Sequence, residues 1–186
     1  MNLRPGFPAL LLLSTTLAGV SCGGDGPTTP PVSICDMIED YTASTTTPLT
    51  FTTDIQPIIM TTATCGLVSQ CHGNTPIFID TARLKTFSYV GDPATVRASM
   101  LEPSVNAPTM NIVVPSNVAN SFMAYKLSGT DGLRCLSSRS PSPCVDGAST
   151  GTETDCGNDM PSMPGGSLTA ADRTKILDWI AQGAAL

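Results

Sequence analysis

The chain has 186 residues, of which 41% are hydrophobic, and a formal net charge of −6 at pH 7. That length buries one core and gives no reason for two, while nine Lys plus Arg leave no basic surface for phosphates and argue against nucleic acid as a partner. Sixteen Gly, sixteen Pro and only 5% aromatics describe a loop-rich chain, whose thin core calls for covalent staples or a bound group.

At the N-terminus, Arg4 precedes the apolar run Ala9-Leu10-Leu11-Leu12-Leu13, and the small residues Ala18, Gly19 and Ser21 lead to Cys22. This pattern reads as a secretory signal over residues 1–21, too short and interrupted to remain as a membrane span. Small residues before Cys22, followed by Gly23-Gly24-Asp25, resemble the lipobox of bacterial lipoproteins, with Gly19 standing where that family prefers Leu, Val or Ile. The resemblance implies that Cys22 becomes the first mature residue and carries a lipid anchor. Export places the remaining cysteines, Cys35, Cys65, Cys71, Cys135, Cys144 and Cys156, where thiols pair.

Residues 22–50 are rich in Pro, Thr, Ser and Gly and read as a disordered tether, with Cys35-Asp36-Met37-Ile38 able to pin its end to the domain. Next, Thr53-Asp54-Ile55-Gln56 has capping-box form, and Ile55, Ile58, Ile59 and Ala63 recur at helical spacing. Proline is tolerated only in a first turn, so Pro57 predicts a start close to Thr53 or Asp54.

This helix runs into Cys65-Gly66-Leu67-Val68-Ser69-Gln70-Cys71-His72-Gly73, which holds two of the seven cysteines and the only histidine. A cysteine pair ending in Cys-His is how a c-type haem is held: both thiols add to porphyrin vinyl groups and the adjacent imidazole binds the iron. The usual form has two residues between the cysteines, and here there are five. On a helix, cysteines six apart project roughly 120° from one another, against about 60° for three apart. Cys65 and Cys71 therefore meet one porphyrin only if the segment between them loops out, a departure that Gly66 eases. A Cys65–Cys71 disulfide is the other use of the pair, stabilising by about 2.4 kcal/mol in the chain-entropy model.

Beyond Gly73, Ile77-Phe78-Ile79-Asp80 and Asn111-Ile112-Val113-Val114-Pro115 are strands or extended loop, and Asp92 to Met100 is a short helix. Another helix is predicted over Val118 to Leu127, with Ala119, Phe122, Met123, Lys126 and Leu127 on one side, Ser116 or Asn117 as cap and Gly129 as stop. Leu133 to Asp159 reads as a disulfide-bound surface loop within an insertion spanning 130–159. A Cys135–Cys144 bridge there would contribute about 2.7 kcal/mol, although spacing does not fix connectivity. Thr169-Ala170-Ala171-Asp172 opens the clearest helix, carrying Ile176, Leu177, Trp179 and Ile180, ending near Gly183 and facing the helix before Cys65.

The order Phe51 to Ile58, Cys71-His72-Gly73, Pro115-Ser116-Asn117, Tyr125-Lys126-Leu127, Met160-Pro161, Met163-Pro164-Gly165-Gly166 and the Trp179 helix resembles exported single-haem cytochrome c-type domains of bacterial lipoproteins. It covers residues 51–186. The resemblance implies a mainly α, small helical domain with crossed first and last helices, long disulfide-bound loops and one haem c. It implies attachment at Cys65 and Cys71, His72 as proximal ligand, and Met160, or alternatively Met163, on the far side of the iron. It further implies an electron carrier rather than an enzyme, meeting redox proteins transiently at the periplasmic face of a membrane or at the cell surface. The alternative is a haem-free, disulfide-stapled interaction module on the same scaffold, with Cys65 bonded to Cys71. Cys35, Cys135, Cys144 and Cys156 are the disulfide candidates in either case. With His72 on iron no second histidine remains to act as base, and no Ser-His-acid set or phosphate loop is visible.

Overall fold

The computed structural model describes residues 33–62, 91–144, 156–157, 159–161 and 168–186, all within one compact unit, Val32–Leu186. Among the described residues the fold is helical and contains no strand. Its five α-helices are α1 (Ile34–Glu39), α2 (Pro93–Met100), α3 (Phe122–Lys126), α4 (Gly129–Ser137) and α5 (Ala170–Ala181). Two π-helical turns, Phe51–Ile55 and Ile58–Thr62, lie between α1 and α2.

The expected tether is partly folded. Ser33 caps α1 by accepting the Asp36 amide at 3.1 Å, and Ile38 is buried. Residues 40–50 then run along α5. Asp178 of α5 accepts from the Tyr41 hydroxyl at 2.8 Å, the Ser44 amide at 2.7 Å and the Ser44 hydroxyl at 2.6 Å. Gln182 accepts from the Leu49 amide and donates to the carbonyls of Thr45 and Thr47. Composition registers too little apolar surface for folding here, but the backbone polar groups find partners on α5, and Ile38 and Leu49 enter the core.

The helical turn after Thr50 begins earlier than Thr53. Thr50 Oγ1 accepts the Thr53 amide at 3.4 Å, while the Thr50 amide donates to Asp54 Oδ2 at 2.9 Å, so the capping exchange sits three residues upstream of the predicted one. Pro57 thus falls past the first turn. It has no N–H to offer an α-type ladder, and the winding on both sides of it is π-type.

At α2 the expectation holds: Asp92 accepts the Thr95 amide at 3.0 Å and Pro93 occupies the first turn. Asn111 to Val114 has no partner strand beyond an isolated bridge of Asn111 with Pro103, its backbone bonding to Met100, Glu102, Asn117, Ser121, Phe122 and Met123. Two corrections follow. α3 starts at Phe122, because residues 117–120 form a turn in which Asn117 accepts the Asn120 amide at 3.0 Å. The start of the predicted surface loop is the helix α4, which buries Leu133, Cys135 and Leu136. Gly129, at φ +74°, ends α3 as expected but opens α4 immediately. Gly132 lets α3 and α4 meet closely, since a Cβ there would lie 2.5 Å from the Tyr125 carbonyl oxygen.

α5 is the keel of the core. Thr169 accepts the Asp172 amide at 3.0 Å and donates to the Asp172 carboxylate at 2.7 Å, fixing the start. Ile176, Trp179 and Ile180 are fully buried. Trp179 lies 5.6 Å from Phe51 between ring centroids, and the carbonyl of Ala185 accepts from both the Trp179 indole and the Phe51 amide. The last helix therefore packs on the helical turn that leads toward Cys65, as the sequence predicts.

Candidate functional site

Of the residues singled out for haem, Met160 is described; Cys65, Cys71, His72 and Met163, and the lipidation candidate Cys22, lie outside the described residues. The four disulfide candidates pair among themselves, Cys35 with Cys135 and Cys144 with Cys156, with Cα separations of 5.6 Å and 4.8 Å. The Cys135–Cys144 bridge does not form, because α4 carries Cys135 against α1. In the chain-entropy model the longer closure stabilises by about 4.7 kcal/mol and the shorter by about 2.9 kcal/mol. Both bridges suit an oxidising compartment. Among the described residues no helix is long and apolar enough to cross a membrane.

Met160 sits at the end of a short loop that begins at Cys156, and its side chain is half-buried against the core. The loop is held from α3. Lys126 is the last residue of that helix, where carbonyls have no partner in the following turn, and its carbonyl accepts the Met160 amide at 3.0 Å. Its ammonium reaches back to the carbonyl of Cys156 at 3.3 Å. Asn106 Nδ2 donates to the same oxygen at 3.4 Å. Gly157 adopts φ +79°, and a Cβ on it would come within 2.6 Å of Asn106 Nδ2.

Lys126 is only 9% exposed, with Nζ 5.5 Å from the Phe122 ring centroid. Burial lowers its pKa to about 8, opposed by the negative charge of Asp159. The sequence placed Lys126 on the apolar side of its helix beside Phe122 and Met123; a charge on such a face is the signal for a buried partner. Asn106 gave no such signal. Cys156 is fully buried, and Met160, held at its amide, packs partly buried against the core. Among the described residues, no group of three or more His, Cys, Asp or Glu side chains could hold a metal ion.

No family model, curated protein or solved structure matches the chain. The likeness to single-haem cytochrome c-type domains therefore stands on the residue pattern alone.

Proposed function

We propose that this chain is an exported, membrane-tethered electron carrier holding one c-type haem, with Cys65 and Cys71 as attachment thiols, His72 as proximal ligand and Met160 opposite. The observation that supports it most is the pairing of the other cysteines. With Cys35–Cys135 and Cys144–Cys156 closed, the thiols outside those bridges are Cys22, at the lipid anchor, and the two that precede the lone histidine.

The haem, when bound, supplies a one-electron couple whose potential an imidazole and a thioether together raise. The chain's own part is to hold the ligands. Met160 is kept on its loop by Lys126 and by the disulfide at Cys156. With His72 and Met160 both given to the iron, the chain would leave no position there for a substrate, which would fit transfer of electrons to transient redox partners near the membrane.

The five-residue spacing between Cys65 and Cys71 favours a second reading, a haem-free stapled module with a third bridge. Expression in a periplasm supplied with haem-attachment machinery separates the two. The carrier gives a Soret band and an intact mass raised by one haem, with four thiol hydrogens lost to the two observed bridges. Colourless protein that has lost two more hydrogens overturns it and establishes the module.

A further inference from the structure

Two side chains of matching reactivity, an amine and a carboxamide, meet where the chain at Cys156 passes the end of α3. The carbonyl of Cys156 accepts from Lys126 Nζ at 3.3 Å and from Asn106 Nδ2 at 3.4 Å. The next residue is a glycine, and a Cβ on it would lie 2.6 Å from Asn106 Nδ2, 3.4 Å from Lys126 Nζ and 3.5 Å from Asn106 Cγ. The amine nitrogen and the amide carbon thus flank one point, and the negative charge of Asp159 acts on the same amine. We propose that Lys126 and Asn106 are a site of self-modification, joined Nζ to Cγ by a side-chain amide bond.

Packing alone does not account for a lysine here. A methionine or leucine would fill the same volume beside Phe122 without the cost of burying a cation. Free in water, a lysine and an asparagine side chain do not condense, because both are solvated and they meet only in passing. In the fold the two are held together on one acceptor, and Lys126 is buried against Phe122, so proximity and desolvation are supplied in advance. The step balances without a co-reactant. Nζ gives up two protons and bonds to Cγ, the Cγ–Nδ2 bond breaks, and Nδ2 takes up those protons and leaves as ammonium. The Asp159 carboxylate is the group that passes them across. The product ties the turn at Asn106 to the last residue of α3, a closure that, unlike Cys35–Cys135 and Cys144–Cys156, no reductant opens.

The test is the intact mass of the exported chain, denatured, reduced and alkylated, followed by tryptic mapping. The bond makes the chain lighter by one ammonia. No Lys or Arg lies between Arg97 and Lys126, so an unmodified chain releases the peptide 98–126. An acylated Lys126 resists trypsin and gives 98–134 less one ammonia, whose two parts stay joined after chymotrypsin cuts at Phe122. That joined peptide is expected in the majority of parent chains. Asn106→Ala should restore both the full mass and the cut at Lys126, and Lys126→Met the full mass. Asp159→Asn should lower the joined fraction about tenfold at equal time after synthesis, and an unchanged fraction overturns the role given to Asp159. Full mass and ready cleavage at Lys126 in the parent overturn the bond. So does an ammonia loss that persists in Lys126→Met, or that accompanies an intact cut at Lys126, since it marks cyclisation of an asparagine onto its own backbone. Should Lys126→Met fail to fold, the parent and Asn106→Ala decide alone. The masses are read alike in coloured and colourless protein, so the bond stands or falls apart from the haem.

Discussion

The two sides of this core are held together by different means. On one side α5, twelve residues long, lies against the Phe51–Ile55 turn through Phe51, Ile55, Ile176, Trp179 and Ile180, all fully buried. Capping, aromatic contact, a shared carbonyl at Ala185 and the partly exposed Asp54–Lys175 ion pair act there. On the other side α1, α3 and α4 have six, five and nine residues, too short to be stable through their own hydrogen bonds. Cys35–Cys135 ties α1 to α4, and the Arg139 guanidinium, 5.0 Å from the Tyr125 ring centroid, bridges the Tyr125 hydroxyl and Glu39. The Met160 loop hangs from this second, cross-linked side. Covalent restraint thus sits on the side that carries the Met160 loop, and packing of large buried side chains dominates on the other.

The largest effect should come from the packed side. Trp179→Ala removes the largest fully buried side chain and takes one of two donors from the Ala185 carbonyl. A loss of about 3–5 kcal/mol in guanidinium unfolding is expected. A loss below about 1 kcal/mol would show that α5 is not the keel.

Next in size is the covalent tie. Replacing Cys35 and Cys135 together by Ala should cost about 2–4 kcal/mol, less than the chain-entropy limit because the reduced, unfolded chain keeps residual structure. It should also act locally, with amides of α1 losing protection from hydrogen exchange while those of α5 keep it. Equal loss across both regions would erase the distinction between the two sides.

What could be read from the sequence divides along the same line. α5, the Asp92 cap and the meeting of the Trp179 helix with the turn before Cys65 were legible, because caps and the 3.6-residue period are local signals. α4 was not: Gly129, Gly132 and flanking serines look like loop, and only contact with Tyr125 explains why a glycine belongs inside that helix. Residues 33–50 looked like tether for a similar reason. Their partners Asp178 and Gln182 lie more than 130 residues away in sequence, beyond any local pattern. The pairing of cysteines 100 residues apart is equally invisible to spacing arguments. For the site, Met160 was an expectation drawn from a motif and Lys126 only one of several residues on one side of its helix, and that the two are bonded emerged from the fold.

The smallest effect, and the finest probe of the packed side, is acid. The Asp54 carboxyl lies below the usual carboxylate value of 3.8, first because it accepts the Thr50 amide and then because Lys175 stands 3.0 Å away. A depressed folded-state value means that the ionised form stabilises the fold. The contribution is complete above about pH 5 and is lost as pH falls through the folded value, below the unfolded one. The side chain is partly exposed, so screening by water limits the contribution to under about 1 kcal/mol. Guanidinium midpoints of the parent and Asp54→Asn should therefore differ most near neutral pH, with the parent higher, and converge toward pH 2. A gap between them that is constant across this range would mean that Asp54 acts through shape at the cap, not through its charge.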